Sequence, residues 1–302
     1  MNNLDEKFKL YLSEVTTVQD KYGFIYSEEC DSLLFTGLLG SVPGTAVFIN
    51  AAFDASKGQW NRRPLNLPPC YDCTQDWNLF GRLKLMLQVG WQTKFKDKAA
   101  LAKIFEKGGS SISRDMLIGL AWYAYVNNRL DISEQVIRYA LTHFCLMGQG
   151  TPTRTFMTPG LLSTYAWISY RLGGPSRPWL RYLPQMESKS VTDFQAHLSV
   201  LHIILRNKLT GKDKYGDLLA FQADRNPENA LFQFAAGRVD KAYTILNNER
   251  YFPSNRLPRK SDRKGPWLWE RDFGDNYQPS DSEKILSGGD FLFVYALCKG
   301  LI

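Results

Sequence analysis

Apolar residues recur at three- and four-residue spacing along most of this 302-residue chain, the period of a helix that buries one face. Phe8, Leu10, Tyr11, Leu12 and Val15 give a first amphipathic helix that ends near Gly23. Asp31 to Leu39 reads as a second, largely buried helix, broken by Val42, Pro43 and Gly44. Gly58, Pro64, Pro68 and Pro69 mark residues 54–76 as an irregular loop, because both residue types interrupt regular elements. The helical pattern resumes over Leu79 to Gln92 and Lys98 to Glu106. Ser113 is placed to cap Arg114 to Asn127, and Asp131 to cap Ile132 to Leu146, since short oxygen-bearing side chains accept from the first free amides of a helix. Asn127, Asn128 and Asp131 make the turn of that hairpin.

Further helices are expected from Pro159 to Leu172, stopped by Gly173, Gly174 and Pro175, and from Val191 to Leu209, stopped by Gly211. Shorter ones fit Asp213 to Ala223, Glu228 to Ala236 and Asp240 to Asn247. Tyr251 to Gly289 has little periodicity, and an apolar helix, Asp290 to Leu301, closes the chain. The total is about a dozen helices with no alternating β-branched runs, so the expected class is all-α. Consecutive hairpins without a polar linker favour one all-helical domain over residues 1–302. A solenoid would show a fixed-period signature, which is not seen. Long loops at 54–76 and 250–289, rich in Trp and Arg, favour a closed α/α toroid with its loops around one mouth.

Composition narrows the function classes. Apolar residues at 44% and charged ones at 22% exclude a disordered or fibrous chain. The start, MNNLDEKFKLYLSEV, has no basic segment followed by an apolar run, so no secretory signal is expected. No run of 18 apolar residues occurs, and no membrane partner is expected. Five scattered cysteines read as reduced thiols in a cytoplasmic protein. Lys plus Arg less Asp plus Glu is 37 − 30 = +7, which favours an anionic partner without choosing it. The excess is local. From Arg250 to Arg271, seven bases face Asp262 and Glu270, a balance of 7 − 2 = +5 beside Trp267 and Trp269.

Metal and cofactor chemistry has little behind it. His197 and His202 are five residues apart and His143 stands alone, so each is expected on a helix face with a local partner. Cys70 and Cys73 form a lone CxxC, without the second pair that zinc needs. No glycine-rich phosphate loop follows a strand. Carboxylates carry more chemistry. Asp31 and Asp115 each open an apolar helix and are followed by glycine six and four residues later, at Gly37 and Gly119. In a toroid such starts would aim carboxylates at one cavity. An acid and a base there could cleave a glycosidic bond. Acids at helix starts also have the plain structural role of complementing the helix dipole. Glu270 and Asp272 are further candidate members. Trp60, Arg62, Arg114, Arg154, Tyr165, Trp267, Trp269 and Arg271 are candidate sugar contacts, since ring faces stack on aromatics and hydroxyl or carboxyl groups bond to guanidinium.

With these segments, Cys30 to Gly37, Ser113 to Gly119 and Trp267 to Phe273, the chain resembles the six-hairpin α/α toroid glycosidases and polysaccharide lyases, and also uncharacterised proteins carried by bacteriophages. The resemblance implies a groove for an extended polysaccharide, with a carboxylate pair, and inversion at the anomeric carbon, if it hydrolyses. The expected activity is therefore a glycoside hydrolase using Asp31, Asp115 and Glu270. The alternative is a non-catalytic glycan- or protein-binding component of a larger assembly such as a virion. A nucleic-acid partner rests on charge and aromatic content alone and is the least favoured reading.

Overall fold

A computed structural model describes residues 3–25, 32–65, 112–148, 155–178, 193–263, 283 and 285–302. The expected helices at Leu79 to Gln92 and Lys98 to Glu106 lie outside these residues. The described chain is predominantly helical. Its first elements are α1 (Asn3–Glu14), α2 (Ser32–Leu39), α3 (Arg114–Val126), α4 (Leu130–Thr142) and α5 (Pro159–Arg171). There follow α6 (Asp193–Thr210), α7 (Gly216–Arg225), α8 (Ala230–Ala235), α9 (Val239–Leu246) and α10 (Gly289–Cys298). Contrary to expectation there is some strand. Two antiparallel pairs occur, β1 (Phe53–Asp54) with β2 (Gln59–Trp60), and β3 (Leu146–Met147) with β4 (Thr155–Phe156). Each is two residues per strand, too short to leave an alternating pattern. The first of them orders the start of the loop expected at 54–76.

The fourth helix stops four residues before Leu146, where the pattern would have ended it. Phe144 and Cys145 both take positive φ, 53° and 60°, a left-handed geometry that an L-residue helix cannot continue. Asp131, expected to cap this helix, stands inside its first turn instead, paired with Arg129 at 2.6 Å. Two other caps do form. Thr158 accepts from the Leu161 amide at 3.4 Å with Pro159 in the first turn, and Asn229 accepts from Phe232 at 3.2 Å.

Helices α2 and α3 meet at two glycines. A methyl group on Gly37 would collide with the Gly119 carbonyl, and one on Gly119 would collide with the Leu34 carbonyl and lie 2.6 Å from the Leu34 Cα. The backbones therefore touch, which only hydrogen at Cα permits. One helical turn further on, Gly40 packs on the Tyr123 ring, and Asn127 Nδ2 donates to the Gly40 carbonyl at 2.9 Å. Contacts advance together along both chains, so the helices run in the same direction and start at the same end. Helix α4 returns antiparallel to α3 and then to α5, which it meets through Glu134 with Ser169 and Leu130 with Gly174. Consequently α5 runs with α3, and the Tyr165 hydroxyl donates to the Leu117 carbonyl at 2.7 Å between them.

The C-terminal helix is apolar all round and buried from Gly289 to Leu297. That is the pattern of a helix enclosed by protein on every side. It packs on α1, α2, α8 and α9, and Phe293 meets the Trp122 ring edge-on at 5.1 Å. Helix α1 in turn grips the segment that follows α9. Lys7 Nζ, fully buried, donates to the Phe252 carbonyl at 2.6 Å and to Glu249 at 3.0 Å. Tyr11 donates to the Pro253 carbonyl at 3.0 Å, and Glu14 accepts from the Leu257 amide at 3.2 Å. Positions 7, 11 and 14 share one helix face.

Candidate functional site

The shared end of α2, α3 and α5 gathers several of the expected residues. Asp115 lies in the first turn of α3, 7% exposed, and accepts a hydrogen bond from the Ser113 hydroxyl. Ser113 does not cap the helix as expected, because its oxygen is turned to Asp115. Arg114 is exposed beside them. At the start of α2, the Arg62 carbonyl accepts from the Ser32 hydroxyl at 2.9 Å and the Leu33 amide at 3.0 Å. The strand pair β1 and β2 delivers Arg62 to this point. A serine, a buried carboxylate and an exposed guanidinium thus stand at one end of parallel apolar helices.

Other expected contacts are placed differently. Trp60 is 1% exposed and Tyr165 is wholly buried. The Trp60 ring packs on Phe53 at 5.1 Å, and burial holds the Tyr165 phenol well above its ordinary pKa. Both support the walls of the fold and present no face to a ligand. Neither is a sugar platform as the sequence suggests, because an apolar helix and a Pro-rich loop do not say which aromatic turns inward. Asp31, Arg154, Trp267, Trp269, Glu270, Arg271 and Asp272 lie outside the described residues.

The basic loop is partly neutralised from within. Arg256 holds Asp262 through two bonds of 2.6 and 3.0 Å, and Arg259 pairs with Glu283. Asp262 also accepts from the Arg259 amide at 2.7 Å. These cations shape the loop in addition to contributing field.

A second concentration of basic and aromatic groups emerges only in the fold. It lies where α6 ends and α7 begins, around a cavity of about 150 Å³ lined by Arg206, Lys212 and Lys214 with Trp167 and Tyr215. Asn207 and Thr210 complete the wall. Gly211 closes α6 with φ 65° and donates its amide to the Asn207 carbonyl at 2.9 Å, a left-handed helix end. Lys212, Asp213, Lys214 and Tyr215 in succession are a local signal for it, but Trp167 arrives from α5 and no local pattern predicts it.

Among the described residues no cluster of three His, Cys, Asp or Glu could hold a metal ion. His202 contacts the Thr164 hydroxyl at 2.7 Å, and burial together with Arg206 pushes its pKa down to about 3. His143 bonds to the Tyr139 carbonyl at 2.9 Å and stacks on that ring. No described helix is long and apolar enough to cross a membrane. Comparison with protein-family models, curated proteins and solved structures gave no match.

Proposed function

We propose that the protein is carbohydrate-active, with its groove at the end where α2, α3 and α5 begin and Asp115 as one carboxylate of an acid and base pair acting on a polysaccharide. The observation that carries this reading is the common direction of those helices, which gathers their starts, with a buried carboxylate, at one end. Asp31, adjoining the start of α2 in sequence, or Glu270 is the partner carboxylate in this reading. One group must release a proton to the leaving oxygen while the other activates water or attacks the sugar. The Ser113 bond orients Asp115 for either role, and Arg114 with Arg62 suits an acidic chain. The α/α toroid belongs to the same proposal. Parallel neighbours alternating with a returning helix are what an inner ring of hairpins requires, and the packing of α1 on α10 brings the ends of the series together.

The test is incubation with a panel of acidic and neutral polysaccharides, followed by mass spectrometry for products and a binding measurement on the same panel. New oligosaccharides from one substrate are expected. Binding without products would leave glycan recognition and remove hydrolysis.

A second reading, a non-catalytic component of a larger assembly, has its own observation. Leu146 and Phe156 are directly paired across β3 and β4 and both exposed. Phe144 is 88% exposed nearby in sequence, and Leu141 is 57% exposed. Large apolar side chains grouped at a surface suit a protein partner. Phe144→Ser with Phe156→Ser should then abolish co-sedimentation with the assembly while leaving any polysaccharide cleavage intact.

A further inference from the structure

We infer that the apolar surface formed by the end of α4 and the pair β3 and β4 is the contact face of a symmetric dimer, covered by the same face of a second copy of this chain. The inference rests on the second reading of the function, in which this surface holds a protein partner, and deepens it by naming that partner.

The backbone at Phe144 is the first support. Helix α4 ends at Thr142 with His143 as its cap, and the Cys145 amide donates to the Ala140 carbonyl at 2.7 Å. A bond from the second residue after the cap to the carbonyl five positions back marks a helix end whose intervening residue is left-handed, and that residue is usually glycine. Here it is Phe144, with φ 53°. A side chain strains this conformation, whereas glycine adopts it freely. Burial of the ring would offset the strain, but Phe144 is 88% exposed. The ring therefore serves neither the turn nor the core of a single copy. Strain of this kind concentrates where a residue is held for function.

Phe144 does not stand alone. Leu141 in the last turn of α4 and the directly paired Leu146 and Phe156 are exposed as well. A covered aromatic side chain buries about 150–250 Å², so these four leave roughly 400 Å² of apolar surface in water, the size of the largest patch on a typical monomer. Two such faces in contact remove roughly 800 Å² before any rim is counted, against about 1,000 Å² for a specific interface. The rim, with Thr142 and His143 among it, supplies the remainder.

Charge selects the occupant. Residues 141–148 and 155–157 contain no Asp, Glu, Lys or Arg, and the nearest charges in sequence, Arg138 and Arg154, lie outside these segments. The face has no charge with which to choose an oppositely charged partner. Two copies, each with a net charge of +7, can meet here without setting like charges against one another. An apolar face that meets its own copy across a two-fold axis is complementary to itself.

The test is sedimentation equilibrium of the full chain over a wide concentration range, in low and in high salt. Wild type should pass from monomer to dimer as concentration rises. Added salt should strengthen the dimer, because it screens repulsion between two positive copies and leaves apolar contact intact. Phe144→Gly with Phe156→Ser should weaken dimerisation by at least about tenfold. In solutions dilute enough for both proteins to be monomeric, Phe144→Gly alone should raise the thermal midpoint by about 2 °C, so that lost association cannot be assigned to unfolding. A lower midpoint would show that the ring supports the fold of one copy, and would overturn its assignment to a contact. Wild type that stays monomeric at every concentration would overturn the dimer. If that monomer still co-sediments with an assembly through Phe144 and Phe156, the second copy is wrong and the reading of a protein partner stands; if it does not, both fall. A dimer left unweakened by the double variant would overturn the face.

Discussion

Gly119 has no room for a methyl group, and the obstacle is the backbone of another helix rather than a side chain that could turn aside. Gly119→Ala should therefore lower unfolding free energy by at least about 2 kcal/mol in urea titration. Gly216, at the first position of α7, has nothing within 4 Å of the place a methyl group would take. It is the control, and Gly216→Ala should be neutral or slightly stabilising. In sequence, the glycines that follow Asp31 and Asp115 resemble part of a repeated catalytic pattern. Their physical role is the close crossing of α2 and α3, so part of that repetition is a packing signal. His202 gives a second residue-scale prediction. Its folded pKa near 3 lies below the ordinary value of 6.5, so the unfolded chain takes up a proton first as pH falls. The contribution is complete above pH 6.5 and is lost progressively from there toward pH 3. Between pH 7 and pH 5, wild type should lose about 2 kcal/mol more stability than His202→Gln, measured by urea unfolding at both pH values.

At the scale of elements, helix period and end signals are legible wherever they are strong. Pro159 opens α5 and Gly211 stops α6 where the residues place them. The end of α4 is not, because nothing in Phe144 or Cys145 announces a left-handed backbone. Nor is the clasp of α1. Lys7 lies in a start where acidic, basic and polar residues follow one another, yet it is buried against the carbonyls of a segment some 240 positions away in sequence. Removing a buried donor leaves its acceptors without a partner, which costs about 1–3 kcal/mol. Lys7→Met should be destabilising by that amount, and Tyr11→Phe by about 1 kcal/mol. Hydrogen exchange should show faster exchange at residues 246–257 in Lys7→Met than in wild type. Unchanged exchange there would mean that the clasp does not hold this segment.

For the whole molecule, sequence reasoning locates the apolar helices and the carboxylate at the start of α3. It cannot tell which aromatics face outward, because Trp60 and Tyr165 satisfy the same pattern in a core as on a binding surface. It also attributes the basic field to one loop, where Arg256 and Arg259 prove to be engaged with Asp262 and Glu283. The cationic cavity at the junction of α6 and α7 depends on three separate segments meeting, and only the fold brings them together.

The most direct measurement of the proposed hydrolysis is the rate of oligosaccharide release by Asp115→Asn, against wild type, from any polysaccharide of the panel that yields products, taken together with its binding affinity for that polysaccharide. Loss of a general acid or base predicts a fall of about 10²–10⁴ in turnover with binding retained. Turnover equal to wild type in a folded variant would contradict the role of Asp115 and with it the placement of the groove.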